Sequence, residues 1–181
     1  MGRDNGRRRD QESRGGMERL KEEEKMKAII LAGGYAKRFW PVTLRRPKPL
    51  LPVGGKPILD FIVERIEEVP QVDTIYVSTN EAFKESFESW LAKRDSLKNV
   101  QIVIEKSRKE EEKLGTIKAL DYVIRRKRIK TDLMVVAGDN IFSFDLEKFV
   151  NSFQNEPRII VHKMDNLEEC SKYGVVQLDL S

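Results

Sequence analysis

Short apolar runs alternate with amphipathic stretches along most of this chain. The apolar runs are rich in β-branched residues, which is typical of buried strands. They span residues 27–32, 74–78, 100–104 and 132–137. The stretches between them repeat apolar positions at helical spacing. They span residues 56–69, 81–93 and 116–127, and Asp145 can cap a further helix. The alternation predicts an α/β fold, doubly wound, with a mostly parallel sheet and helices on both faces.

Three finer predictions follow from the same pattern. Residues 158–163 and 173–179 are each expected to form a strand. The helix over 116–127 is expected to bury Ile117, Leu120, Val123 and Ile124. The aromatic residues of 81–93 recur on one helical stripe, which favours a place in the core over a base-stacking surface.

Composition narrows the class of protein. The chain has 181 residues, 39% of them hydrophobic and 35% charged, which favours one domain with a real core. The charged fraction exceeds the usual quarter and is compatible with a thermophilic source. No apolar run approaches the roughly 20 residues that span a bilayer. One cysteine, Cys170, excludes an internal disulfide and favours the cytoplasm, and one histidine, His162, excludes a zinc cluster.

The first 25 residues differ from the rest of the chain. Residues 1–25 contain eight basic and seven acidic residues and few apolar ones. Such a segment cannot bury enough surface to offset its ordering entropy, so we expect a disordered extension. The functional domain is then expected over 26–181. A nucleic-acid-binding role for the basic start is the less favoured interpretation, since the net charge is only +4.

The candidate chemistry is concentrated where the first apolar run ends. Gly33 and Gly34 allow a tight turn and the close approach of a ligand. Basic residues and prolines follow within a few positions, among them Arg38 and Lys48. A strand that ends in a glycine turn and a basic, proline-stiffened loop predicts an anion site, most plausibly for phosphate.

The longer motifs resemble the sugar-phosphate nucleotidyltransferases, the pyrophosphorylases that make nucleoside-diphosphate sugars. The resemblance is carried by Leu31-Ala-Gly-Gly, Arg38-Phe-Trp-Pro-Val-Thr43, Pro47-Lys-Pro-Leu-Leu-Pro-Val-Gly-Gly-Lys-Pro57, Lys113-Leu-Gly-Thr-Ile-Lys-Ala-Leu120, Gly138-Asp-Asn140 and Tyr173-Gly-Val-Val176. It covers residues 26–181 in the family's order and implies a Rossmann-like fold. Ala36 stands where many members have glycine.

The resemblance implies an enzyme that transfers a nucleotidyl group from a nucleoside triphosphate to a sugar 1-phosphate and releases pyrophosphate. It implies catalytic roles for three residues. Arg38 would bind the β- and γ-phosphates, Lys48 the α-phosphate, and Asp139 the Mg²⁺ cofactor. Backbone groups of Leu31, Ala32, Gly33 and Gly34 would contact the nucleotide.

The resemblance also implies where base and sugar lie. Gly115, Thr116 and a nearby glutamate, Glu112 or Glu110, would face the base, and Tyr173 and Gly174 would face the sugar. UTP or dTTP is the expected nucleotide.

The family's later lysine for the sugar phosphate and its second metal-binding aspartate have no counterpart in these 181 residues. The acceptor half is therefore expected to be incomplete. A non-catalytic sensor of nucleotides or nucleotide sugars is the alternative function, and homo-oligomerisation stays open.

Overall fold

The computed structural model describes residues 25–154, 156–166 and 168–177. Apart from Lys25, the predicted disordered extension lies outside this part of the chain. The strands are β1 (Met26–Leu31), β2 (Pro52–Val53), β3 (Lys56–Pro57), β4 (Val72–Asn80), β5 (Asn99–Glu105) and β6 (Leu133–Ala137). The α-helices are α1 (Ile58–Glu67), α2 (Lys84–Leu91), α3 (Thr116–Lys127) and α4 (Leu146–Asn151).

Four strands form one parallel sheet in the order β5-β4-β1-β6. β1 occupies an inner position and pairs in parallel with β4 and with β6. β5 pairs in parallel with the outer side of β4. The predicted parallel α/β sheet is therefore confirmed, and its carboxyl ends all open on one edge.

Apolar residues of the inner strands alternate between two cores, as the two-residue period of a strand requires. Ala28 and Ile30 lie in a core with residues of α1, α2 and α4. Ile29 lies in the opposite core, against Val123 of α3. Helices thus cover both faces of the sheet. Phe87 of α2 is fully buried, so the aromatic stripe belongs to the core as predicted.

Local sequence explains where the helices begin. Gly115 precedes α3 with φ of 76°, a conformation that favours glycine, and its carbonyl accepts a hydrogen bond from the Ala119 N–H. The Asp145 side chain accepts from the Lys148 N–H at 3.0 Å and caps α4. Within the described residues no helix is long and apolar enough to cross a membrane.

Two strand predictions were wrong. Residues 158–163 form no strand, and neither do residues 173–177; positions 178 and 179 lie outside the described residues. Ile159, Ile160 and Val161 are 47–69% exposed. Apolar and β-branched residues favour a strand, but a strand forms only where a partner edge accepts its hydrogen bonds. No described strand pairs with either segment.

The expected burial of Ile117 was also wrong, because its side chain is 77% exposed. Thr116 and Ala119 turn toward the cavity described below, which leaves Ile117 on the outer side of the first turn. Val123, further along α3, is fully buried as predicted.

Candidate active site

The glycine turn after β1 begins the site. The Ala32 N–H donates to the Ser78 carbonyl at 2.8 Å, and the Asn80 side chain donates to the Gly33 carbonyl at 3.0 Å. Asn80 is fully buried, so the turn is fixed to the end of β4. Ala36 then adopts a left-handed conformation with φ of 47°, which fits the expectation of glycine at this position.

The loop beyond the turn is stiffened by three one-turn 3₁₀ helices. The Thr43 hydroxyl donates to the Ala36 carbonyl at 2.9 Å and ties the loop back on itself. Lys48 begins the third 3₁₀ turn between Pro47 and Pro49, both of which are buried. The prolines therefore fix the backbone from which Lys48 extends.

The loop residue Lys48 meets Asp139, which follows β6. Its Nζ lies 2.7 Å from Asp139 Oδ2, with the two side chains 28% and 39% exposed. The contact is possible because β1 and β6 are neighbours, and the Gly138 N–H donates to the Leu31 carbonyl at 2.8 Å. The glycine turn and Asp139 therefore converge on one edge of the sheet.

A cavity of about 700 Å³ occupies this edge of the sheet. Nine of the predicted site residues line it. They are Leu31, Ala32, Gly33, Gly34, Arg38, Lys48, Gly115, Thr116 and Asp139. The volume is in the range of pockets that bind small molecules and cofactors.

The cationic residues at the mouth differ in their partners. Arg38 is exposed and pairs with no acidic side chain of the described residues. Lys37, by contrast, has an acidic partner, since its Nζ lies 3.6 Å from Glu111 Oε1. A guanidinium without an internal partner can bind two oxygens of a phosphate at once, so Arg38 can contribute both charge and geometry.

Asp139 fits a magnesium ion in the manner expected of this kind of site. Among the described residues no group of three or more potential ligand side chains is present. One carboxylate completed by substrate phosphates is a common way for Mg²⁺ to be held. The Asp139 carboxylate, whose one partner within the described residues is Lys48, can supply that single ligand.

Three predicted residues lie outside the lining of the cavity. The Glu112 carboxylate accepts a hydrogen bond from the Arg108 N–H at 2.8 Å. Tyr173 is 63% exposed, and Gly174 is exposed beside it. The roles of these residues in base and sugar binding stay predictions. Glu110, the other glutamate considered for the base, does line the cavity, where it pairs with Lys113.

Sequence reasoning missed Tyr35 and Glu105, which also line the cavity. Tyr35 is buried, and its hydroxyl donates to the Ser107 carbonyl at 3.4 Å. Glu105 is only 4% exposed, and burial raises the pKa of its carboxyl group. One signal was available for Glu105, since it directly follows the strand predicted over 100–104, much as Asp139 follows the strand predicted over 132–137.

The glycine turn, the Lys48–Asp139 pair and Arg38, which pairs with no acidic side chain of the described residues, surround one cavity of an α/β protein. The cavity lies at the carboxyl edge of the sheet, where ligands bind in open α/β folds. The chain belongs to the nucleotidyl transferase family, whose model matches residues 27–181. The resemblance predicted from the motifs is therefore confirmed.

Relatives of known name cover most of this chain. A Sulfolobus acidocaldarius protein, provisionally named a mannose-1-phosphate guanyltransferase, is 34% identical over 84% of this chain and 40% of its own length. The bifunctional protein GlmU of Methanococcus vannielii is 32% identical over 84% of this chain and 32% of its own length. The D-glycero-alpha-D-manno-heptose 1-phosphate guanylyltransferase of Campylobacter jejuni is 31% identical over 85% and 64%, respectively. The chain therefore spans less than two thirds of each of these relatives.

Solved structures share the fold. HddC from Yersinia pseudotuberculosis, complexed with GMP-PN, superposes with a TM-score of 0.57 and 29% identity, over 70% of this chain and 53% of HddC. A UDP-glucose pyrophosphorylase complexed with UDP-glucose superposes with a TM-score of 0.56, over 72% of this chain and 54% of the other. Because the sequence identity to this second structure is only 22%, the similarity supports a shared fold and nothing further.

Proposed function

We propose that this chain carries the nucleotide-binding half of a sugar-1-phosphate nucleotidyltransferase. In the proposed reaction an oxygen of the sugar 1-phosphate attacks the α-phosphorus of a nucleoside triphosphate. The bond between the α-phosphorus and its bridging oxygen breaks, and pyrophosphate leaves. The observation that carries the proposal is the meeting of the glycine turn with Lys48 and Asp139 at one cavity.

Each residue of the proposed site acts on charge or position. Nucleotidyl transfer depends mainly on positioning and on neutralising negative charge. Arg38 would hold the departing β- and γ-phosphates, and Lys48 would neutralise charge at the α-phosphate. Asp139 would hold Mg²⁺, which supplies further neutralisation when bound. The backbone of Gly33 and Gly34 would let the nucleotide lie against the turn.

The nucleotide and the sugar are open parts of this proposal. The motifs favour UTP or dTTP, whereas two of the relatives above are named as guanylyl- or guanyltransferases. The first experiment is therefore a binding titration of the 181-residue chain with GTP, UTP, dTTP, ATP and CTP in the presence of Mg²⁺. Failure of every nucleotide to bind would overturn the proposal.

The catalytic claim is tested by pyrophosphate release with a panel of sugar 1-phosphates. We predict that Asp139→Asn lowers turnover by about 100-fold or more, because the amide is a poor magnesium ligand. The fold should survive, since the ion pair with Lys48 is partly exposed and contributes at most about 1 kcal/mol. Asp121→Asn is the matched control, because Asp121 is exposed on α3 and its one ion pair among the described residues is with Arg125.

Two results would speak against the proposal. Full turnover in Asp139→Asn contradicts the metal role. Tight nucleotide binding without pyrophosphate release, with any sugar 1-phosphate, favours the alternative function of a non-catalytic sensor.

A further inference from the structure

The Asn80 side chain, at the carboxyl end of β4, is completely buried beneath the glycine turn. Both atoms of its amide group make a hydrogen bond. Nδ2 donates to the Gly33 carbonyl at 3.0 Å, and Oδ1 accepts from the Phe83 N–H at 3.1 Å. The partners fix the orientation of the amide, because a carbonyl requires a donor and an N–H requires an acceptor. Asn80 therefore joins the turn after β1 to the segment that follows β4.

The bond to Gly33, rather than the bond to Phe83, explains why this residue is an asparagine. The bond to Phe83 caps the 3₁₀ turn Glu81–Phe83 that leads into α2, and aspartate or serine would cap it about as well. Neither of them serves the Gly33 carbonyl at the same time. An ionised carboxylate has no proton to donate, and the single serine hydroxyl is too short to reach both partners. The amide is therefore required by the turn.

The bond to Gly33 also sets the direction of the next N–H. The Gly33–Gly34 peptide is trans, so its C=O and its N–H point in opposite directions. The Gly33 carbonyl points at the buried Asn80, which lies outside the lining of the cavity. The Gly34 N–H consequently points to the open side of the turn. Gly34 lines the cavity there, and a Cβ built on it would meet nothing within 4 Å.

The Gly34 N–H has no acceptor in the part of the chain that the structure describes. The Ala32 N–H of the same turn, by contrast, donates to the Ser78 carbonyl at 2.8 Å. A backbone N–H that faces a cavity without an internal partner is available to a ligand. Arg38 and Lys48 line the same cavity, so the ligand expected there is an anion, and a phosphate oxygen is a suitable acceptor.

We propose that Asn80 is a positioning residue for nucleotide binding, which holds the Gly33–Gly34 peptide with its N–H directed at a phosphate oxygen. The inference rests on the proposed function and adds to it a residue that does not touch the nucleotide. Without the Asn80 donor the Gly33 carbonyl would be buried and unpaired, which favours its rotation toward the cavity. The negative end of the carbonyl dipole would then face the phosphates, and the Gly34 N–H would turn away from them.

The first measurement is the affinity of the 181-residue chain for GTP, UTP and dTTP, each with Mg²⁺. Asn80→Ser keeps a cap for the Phe83 N–H but loses the donor to Gly33. It should weaken every triphosphate that the parent chain binds by roughly 10- to 100-fold, the range for a hydrogen bond to a charged group. The factor should be similar for all three bases, because the lost contact is with a phosphate. Asn99→Ser is the matched control and should change no affinity, since Asn99 is exposed at the amino end of β5.

The second measurement separates this role from that of a helix cap. The chain contains 11 glycines, so glycine-selective ¹⁵N labelling gives a simple spectrum, and Gly34→Ala identifies the Gly34 amide. In the parent chain, saturating triphosphate should move the Gly34 amide proton downfield, as a hydrogen bond to phosphate does. In saturated Asn80→Ser this shift should be absent or much smaller. The exposed Gly55, between β2 and β3, should not shift in either chain. Loss of a cap alone would lower the melting temperature and leave the Gly34 shift in place.

Thermal unfolding shows whether each variant is folded, and Asn80→Asp provides a second test. Aspartate keeps the cap and replaces the donor by an acceptor, so it should lose affinity at least as much as Asn80→Ser. Parent-like affinity in both folded variants would overturn the inference. So would an equal Gly34 shift in the parent chain and Asn80→Ser, or a loss confined to one base. In those cases the proposed function survives, whereas a parent chain that binds no nucleotide removes both.

Discussion

Substitution of Gly138 by alanine tests how closely the ends of β1 and β6 must approach. A Cβ at Gly138 would lie 3.0 Å from the Leu31 carbonyl oxygen and 3.0 Å from the Ala32 Cβ. Two of its three nearest atoms belong to the backbone of β1 and its turn, so no flexible side chain can move away. Ordinary van der Waals contact for a Cβ is 3.4–4 Å. The strand ends must therefore separate by a few tenths of an ångström.

That displacement should lower both the free energy of unfolding and the rate of turnover. Overpacking of this kind costs about 1–3 kcal/mol, which lowers the melting temperature of a domain of this size by roughly 2–12 °C. Asp139 follows Gly138 directly and would move with it. A misplacement of about 1 Å can reduce catalysis by around 100-fold, so a shift of a few tenths of an ångström should lower turnover roughly several-fold.

The assay is denaturant unfolding of the Gly138→Ala chain, together with nucleotide binding and pyrophosphate release. Gly34→Ala is the matched control for stability, because a Cβ there meets nothing within 4 Å and the backbone needs no positive φ. Its free energy of unfolding should change by less than about 0.5 kcal/mol or rise slightly. Equal stability of the two variants, with turnover retained in Gly138→Ala, would refute the close approach of β1 and β6.

Two further predictions concern stability alone. Burial raises the folded-state pKa of Glu105, so the folded chain binds this proton more tightly than the unfolded chain. The stability that this gives is fully present below the ordinary carboxyl pKa. It is lost as pH rises through the raised pKa. Melting curves should therefore show Glu105→Gln gaining stability relative to the parent as pH rises from about 4 toward neutral, and a constant difference would contradict the burial. Arg94, 10% exposed, pairs with Glu67 at 2.9 Å and Asp60 at 2.8 Å, so Arg94→Leu should cost about 2–4 kcal/mol in urea unfolding. Lys93 is the exposed neighbour of Arg94, so Lys93→Leu should change the free energy of unfolding by less than about 0.5 kcal/mol. Similar losses in both variants would argue against buried ion pairs of Arg94 with Glu67 and Asp60.

Much of the site could be predicted because its residues follow strands directly. Apolar runs define β1 and β6, and a parallel sheet brings the carboxyl ends of its strands to one edge. Gly33 and Asp139 are therefore assigned to one cavity by position alone. The loop of residues 106–114 gives no such guide, because seven of its nine residues are charged and it has no apolar period. The sequence could not choose among its glutamates, and it passed over Glu105, which ends the strand before them.

The chain by itself determined the elements whose signals are local. Strand-like apolar runs, helical stripes, the glycine turn and the proline-fixed Lys48 depend on steric preferences of neighbouring residues. Tertiary structure decided what depends on partners distant in the chain. Residues 158–163 had the β-branched composition of a strand, but no described strand pairs with them. Glu105 became a buried group of the cavity only because β4 and the glycine turn close over it, and burial is a property of the packed fold rather than of any segment.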